Sequence, residues 1–190
     1  MSKRPRELQL IAKGGVVRVV DPLSLKTIYT LTAPRLSFTS TLHRGDSEDD
    51  ATVVGGLKIN GALGNARYTV DEKIGDETAW IDMKNESRIM KLNHFSFSTN
   101  TPEGQRKLDW KGTREVPHKI EKLDVLNLKL VDDKTDQLVA RFVHKLNGSR
   151  AMDGMLEFHE DIGEEWDRRI LLSCLAVLKY NSFMWSLNIF

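Results

Sequence analysis

Between Ile170 and Leu178 every residue except Ser173 is apolar or cysteine, which leaves no polar stripe for a helix to turn toward water. Glu164, Glu165 and Asp167 crowd the entrance to this run, where negative charge favours a helix N-terminus. A helix that is apolar all round is enclosed on all sides. Counted from Gly163 to Tyr180 it is about 27 Å long at 1.5 Å per residue, enough to thread a small barrel. Burying its roughly eight apolar side chains contributes on the order of 12–24 kcal/mol before entropy is set against it. The rest of the chain must therefore supply a wrapper.

That wrapper is read as strands. Period-two alternation, the mark of half-buried strands, places Leu36, Phe38 and Leu42 on one face and Ser37, Thr39 and Thr41 on the other. Val53, Leu57 and Ile59 stand opposite Lys58 and Asn60. The pattern returns with Leu126, Leu128 and Leu130, with Leu138, Ala140 and Phe142, and with Leu156 and Phe158. Further candidates are 16–20, 25–31, 79–83, 88–97 and 105–111. Turn chemistry at 71–76, 100–104 and 132–136 joins neighbours as hairpins. Links this short exclude a parallel βαβ layout, whose crossovers need about a dozen residues or more. No internal repeat or linker interrupts the chain, so residues 1–190 form one domain.

Composition fits a folded protein rather than a disordered one, with 40% hydrophobic and 29% charged residues. A formal net charge of +1 gives no global attraction to nucleic acid or to an anionic membrane, so any such contact needs a local patch. No nucleic acid is expected as a partner. The single cysteine, Cys174, excludes an internal disulfide framework and fits a reducing, cytoplasmic compartment. Lys3, Arg4 and Arg6 make residues 1–7 a basic arm, and no apolar signal-peptide core follows it. The triplets Asn85-Glu86-Ser87 and Asn147-Gly148-Ser149 are then chance glycosylation matches.

The second half also carries a resemblance. Phe95-Ser96-Phe97-Ser98 through Lys107-Leu108-Asp109-Trp110-Lys111, then Leu128-Lys129-Leu130-Val131-Asp132, Val139-Ala140-Arg141-Phe142, and Leu156-Glu157-Phe158 leading into the apolar helix follow one another. In order and spacing this run is similar to the tubby C-terminal-like superfamily, which includes the LURP-one-related and phospholipid-scramblase-type domains. Within it, the likeness is greatest to a small fungal-type branch of unknown function. The resemblance covers residues 88–180 by motif and the first half by strand count. It implies a mostly β fold: a closed antiparallel barrel of about twelve strands around a central, buried C-terminal helix. In tubby proteins outer basic residues bind phosphoinositide head groups. No Lys/Arg motif of that kind stands in this sequence, and the Pro-rich arm and calcium-responsive segment of scramblases are missing.

Reaction chemistry is not visible. His43, His94, His118, His144 and His159 lack metal-ligand spacing. Asp46-Ser47-Glu48-Asp49-Asp50 lacks the central Gly and closing Glu of a calcium loop. Gly55-Gly56, with Gly61 and Gly64, precedes no helix that could hold a phosphate, so these glycines are assigned to bulges or curvature. Cys174, among leucines, is an inert small hydrophobe. Trp110, in phase with Leu108, belongs to the core, and Trp166 plugs the barrel's end. No cofactor, metal or catalytic residue is assigned.

Two features remain. Arg88, Lys91, Arg106, Lys107 and Lys111 are the basic residues best placed to meet anionic lipid, each worth about 1 kcal/mol near an anionic surface. Phe183-Met184-Trp185-Ser186-Leu187-Asn188-Ile189-Phe190 is a strongly apolar end. Ile170–Phe190 holds 21 residues with one charge, Lys179, near the length of a membrane span. The barrel needs that helix inside, so it is expected over 163–181, with a tail, 182–190, folded back on the barrel or on a partner. The expected function is a non-enzymatic intracellular binding module for anionic phospholipid or phosphoinositide head groups, peripheral at membranes. The alternative is a protein-interaction or homo-oligomerisation domain that uses the tail.

Overall fold

A computed structural model describes residues 6–32, 37–47, 49–60, 65–75, 77–87, 94–113, 127–145 and 152–186, with backbone alone for 50 and 183–186. Twelve strands precede one helix: β1 (Arg6–Lys13), β2 (Val16–Val20), β3 (Thr27–Thr32), β4 (Thr39–Arg44), β5 (Val53–Ile59), β6 (Ala66–Thr69), β7 (Ile81–Asn85), β8 (Phe95–Thr101), β9 (Gly104–Gly112), β10 (Leu128–Asp132), β11 (Leu138–His144), β12 (Gly154–Phe158) and α1 (Glu164–Ser186). Each strand pairs antiparallel with its sequence neighbours, and β1 closes the barrel on β12 through Arg6↔Phe158 to Leu10↔Gly154. The expected closed barrel around a C-terminal helix is the observed fold.

Alternation decides what faces inward. Leu57 and Ile59, Phe95 and Phe97, Leu108 and Trp110, Leu128 and Leu130, Ala140 and Phe142, and Leu156 and Phe158 are all buried. They line the space that α1 fills, and every residue from Ile170 to Leu178 is at most 1% exposed. The helix is gripped from several sides. Trp110 Nε1 donates to Ser173 Oγ at 2.9 Å, Phe95 meets Tyr180 edge-on at 5.2 Å, and Arg168 donates to the Val54 carbonyl at 3.2 Å. Gly55 sets its closest approach to the wall: a Cβ there would lie 2.6 Å from the Thr69 carbonyl oxygen and 2.7 Å from Leu172 Cδ1. Gly56, its neighbour, is covered on the other side by Ile74, whose Cδ1 would stand 2.5 Å from an added Cβ. The glycine pair serves close packing beside a register shift at Leu42/His43, as the bulge reading anticipated.

Several expectations need correction. Residues 6–13 form β1, so the arm assigned to 1–7 gives its last two residues to the sheet. β6 has no counterpart among the expected strands, because Ala66-Arg67-Tyr68-Thr69 is too short for alternation to stand out. Phe38 is 45% exposed and precedes β4, whose inward residues are Ser40 and Leu42. α1 continues to Ser186, five residues beyond the end expected at 181, since nothing at Ser182 stops a helix already nucleated inside the barrel. The rest of the tail, 187–190, lies outside the described residues.

Candidate functional site

The outer face of β5–β9 gathers cations around an indole. Cross-strand pairing sets Lys58 opposite Arg67 and Arg67 opposite Asp82, then Lys84 opposite Ser96, and Ser98 opposite Lys107. Adjacent strands are about 4.8 Å apart, so side chains in such rows touch. Trp80 enters just before β7 and lies over both cations of the first row, 4.8 Å from Lys58 Nζ and 5.1 Å from Arg67 Cζ. Beside it runs a shallow groove of about 410 Å³, lined by Trp80, Asp82, Lys84, Ser96, Ser98 and Lys107.

Charge in this groove is only partly balanced. Lys84 Nζ lies 2.9 Å from Glu86 Oε1, and its hydrogen bond holds the Glu86 carboxyl below its ordinary range. Lys107 Nζ lies 3.2 Å from Asp133 Oδ2; the bond raises the Lys107 pKa and lowers that of Asp133. These pairs are solvent-exposed, so they exchange readily for another anion. Lys58 and Arg67 pair with no carboxylate among the described residues and have only the Trp80 ring as partner. The groove offers an anion Lys84, Lys107, the Ser98 hydroxyl and the Trp80 ring, beside the Asp82 carboxylate, and Lys58 and Arg67 lie against that same ring.

The five basic residues expected from sequence do not form one site. Lys107 lines the groove. Lys111 lies on the same outer face of β9, tied to Asp109 at 3.4 Å. Arg106, immediately before Lys107, points the other way and is withdrawn from the surface. Its Nε donates to Asp132 at 2.8 Å, its two terminal nitrogens grip Glu160 at 2.8 and 3.0 Å, and its guanidinium lies 5.4 Å over Trp166. It locks Trp166, itself buried, into the barrel end as expected of that plug. Arg88 and Lys91 lie outside the described residues. Sequence reasoning missed Lys58, Arg67, Trp80 and Lys84, because their proximity depends on the register of the unrecognised β6. The period-two run Trp80, Asp82, Lys84, opposite Ile81 and Met83, was the available signal.

Elsewhere the chemistry is structural. Cys174 is fully enclosed, and burial pushes its thiol pKa up, so no thiolate forms. His43 Nδ1 meets the Asp49 carbonyl at 3.2 Å inside its loop, and Asp46 pairs with Arg18 at 3.3 Å. Among the described residues no group of three or more His, Cys, Asp or Glu could hold a metal ion, and no helix is long and apolar enough to cross a membrane. The barrel places apolar residues inside and charged rows outside, the reverse of a membrane-spanning barrel. Set against protein-family models, curated proteins and solved structures, the chain matches none of them.

Proposed function

We propose that this barrel is a non-enzymatic binding module whose β5–β9 outer face receives the head groups of anionic phospholipids, phosphoinositides included. The observation that carries the reading is the placement of Lys84 and Lys107 in one groove whose Trp80 wall also lies against Lys58 and Arg67. Four such residues near an anionic surface contribute on the order of 4 kcal/mol, and an indole suits the boundary between head groups and water. The resemblance to tubby-like domains points the same way. The test is sedimentation with vesicles containing phosphatidylserine or phosphoinositide at low salt. Wild type is expected to sediment, and Lys84→Glu/Lys107→Glu to remain in the supernatant with unchanged thermal unfolding. Failure of the wild type to sediment at low salt removes the proposal.

A further inference from the structure

The turn between β2 and β3 bonds its polar groups to one another and leaves two leucines bare. Leu23 is 94% exposed and Leu25 74% exposed, the two most exposed large hydrophobic residues among those described. They stand on either side of Ser24 at one tip. The tip is held in one shape. The Asp21 N–H donates to the Lys26 carbonyl at 3.0 Å, and the Leu25 N–H to the Asp21 carbonyl at 2.8 Å. The Asp21 carboxylate accepts from the Leu23 N–H at 2.9 Å and from the Ser24 hydroxyl at 2.7 Å. The Lys26 N–H donates to Ser24 Oγ at 3.4 Å, and Pro22 has no N–H to place. The N–H groups of Asp21, Leu23, Leu25 and Lys26 are thus already paired within the turn.

This network holds Leu25 at φ 58, a left-handed conformation rare for a leucine. The β10–β11 hairpin closes the same way, with the Asp132 N–H donating to the Gln137 carbonyl at 3.0 Å, the Asp136 N–H to the Asp132 carbonyl at 2.8 Å and Asp136 at φ 55, so the turn itself sets this conformation and leaves both leucines pointing away from the core. Paired donors lower the cost of carrying the tip toward an apolar phase as far as the interface, where the carbonyls of residues 22–25 keep water or head-group partners. Two convex aliphatic side chains fit a fluid lipid surface without needing a shaped pocket. Lys26 at the base of the tip can extend toward phosphates while its stem lies along apolar surface.

We infer that the Asp21–Lys26 turn is an insertion tip that places Leu23 and Leu25 among the lipid acyl chains at the membrane interface. It is a surface separate from the groove, with β4–β6 between β3 and β7 in the barrel order. The contact is apolar, so it operates on neutral lipid as well as anionic lipid. Because it is independent of the groove's charges, the two can fail separately.

The test uses the full chain and vesicles of phosphatidylcholine, alone or with phosphatidylserine. Cys174 is enclosed, so a Leu23→Cys variant takes an environment-sensitive fluorophore at the tip alone. On phosphatidylcholine vesicles the label is expected to shift to the blue and to be quenched by lipids brominated near the head group. Leu23→Ala/Leu25→Ala is expected to lower partition into these vesicles about tenfold or more, as the loss of two leucines' apolar area implies. Lys84→Glu/Lys107→Glu should leave partition into phosphatidylcholine unchanged and lower only the added binding to phosphatidylserine. Absence of binding to phosphatidylcholine, a label that remains in water on bound protein, or wild-type partition of the leucine variant each overturns the inference. So does a lipid-free oligomer that the leucine variant dissociates, which would make a second copy the occupant. Loss of the phosphatidylserine increment in wild type, with leucine-dependent neutral binding kept, overturns the groove alone.

Discussion

Lys179 enters the barrel on α1 and, among the described residues, meets only uncharged acceptors: the Ser40 hydroxyl, and the Thr39 carbonyl oxygen at 3.4 Å. The residue is 6% exposed, and burial lowers its pKa from 10.5 to about 8. A folded-state pKa below the unfolded one means that the unfolded chain binds more protons between those values. Lys179 therefore destabilises the fold by a constant amount below about pH 8, and that penalty fades as pH rises toward 10.5. Lys179→Met is expected to stabilise the protein at pH 7 by about 1 kcal/mol or more, the scale of relieving a poorly compensated buried polar group. Urea unfolding at pH 7 and pH 9.5 checks it: the gap between wild type and variant should narrow at the higher pH. An equal gap at both pH values contradicts this account. The same residue explains why α1 is not simply the most apolar segment possible, since one amine anchors it to β4.

Strands and helix meet at places where side-chain size is critical. At Gly55 the backbone of β5 runs between the Thr69 carbonyl and Leu172 of α1, with φ at 156. Leu172 could rotate away from a methyl group, but the Thr69 carbonyl belongs to the β5–β6 ladder and cannot. Gly55→Ala is expected to cost about 1–3 kcal/mol by overpacking, read as a lower urea midpoint with the barrel's circular dichroism retained. A variant as stable as wild type would show that α1 does not press on this wall. The tryptophan pair follows a related logic. Trp110 hangs its indole N–H on Ser173 Oγ, which in turn donates to the Ile170 carbonyl at 2.8 Å. The only polar residue of the apolar run is thereby satisfied on both sides.

At the scale of the molecule, charge sets how the barrel meets a surface. The formal net charge is +1, so long-range attraction to an anionic membrane is negligible and the groove's local cations must supply it. The Debye length falls to about 8 Å at physiological ionic strength. Binding to phosphatidylserine vesicles should therefore weaken several-fold between low and physiological salt, while partition through Leu23 and Leu25 should hold. Salt-insensitive binding to phosphatidylserine would refute the electrostatic part. Closure also matters at this scale. β1 pairing with β12 leaves no free strand edge between first and last strands, so association by strand addition is closed to the fold.

The run from Ile170 to Leu178 determined most of the architecture by itself, because nine consecutive residues without a polar face can be satisfied only by complete enclosure. Alternation at 105–111 and 138–142, with hairpin turns at 100–104 and 132–136, identified the enclosing strands, since facing and turn chemistry are local properties. Tertiary structure alone decided the rest. Arg106 and Lys107 are adjacent and equally basic in sequence, yet one closes on Glu160 and Asp132 and the other lines a groove. Lys58, Arg67 and Trp80 become one cluster only through the register of β5, β6 and β7. Which side of a strand faces outward is written in neighbouring residues, but what stands beside it depends on strands distant in the chain.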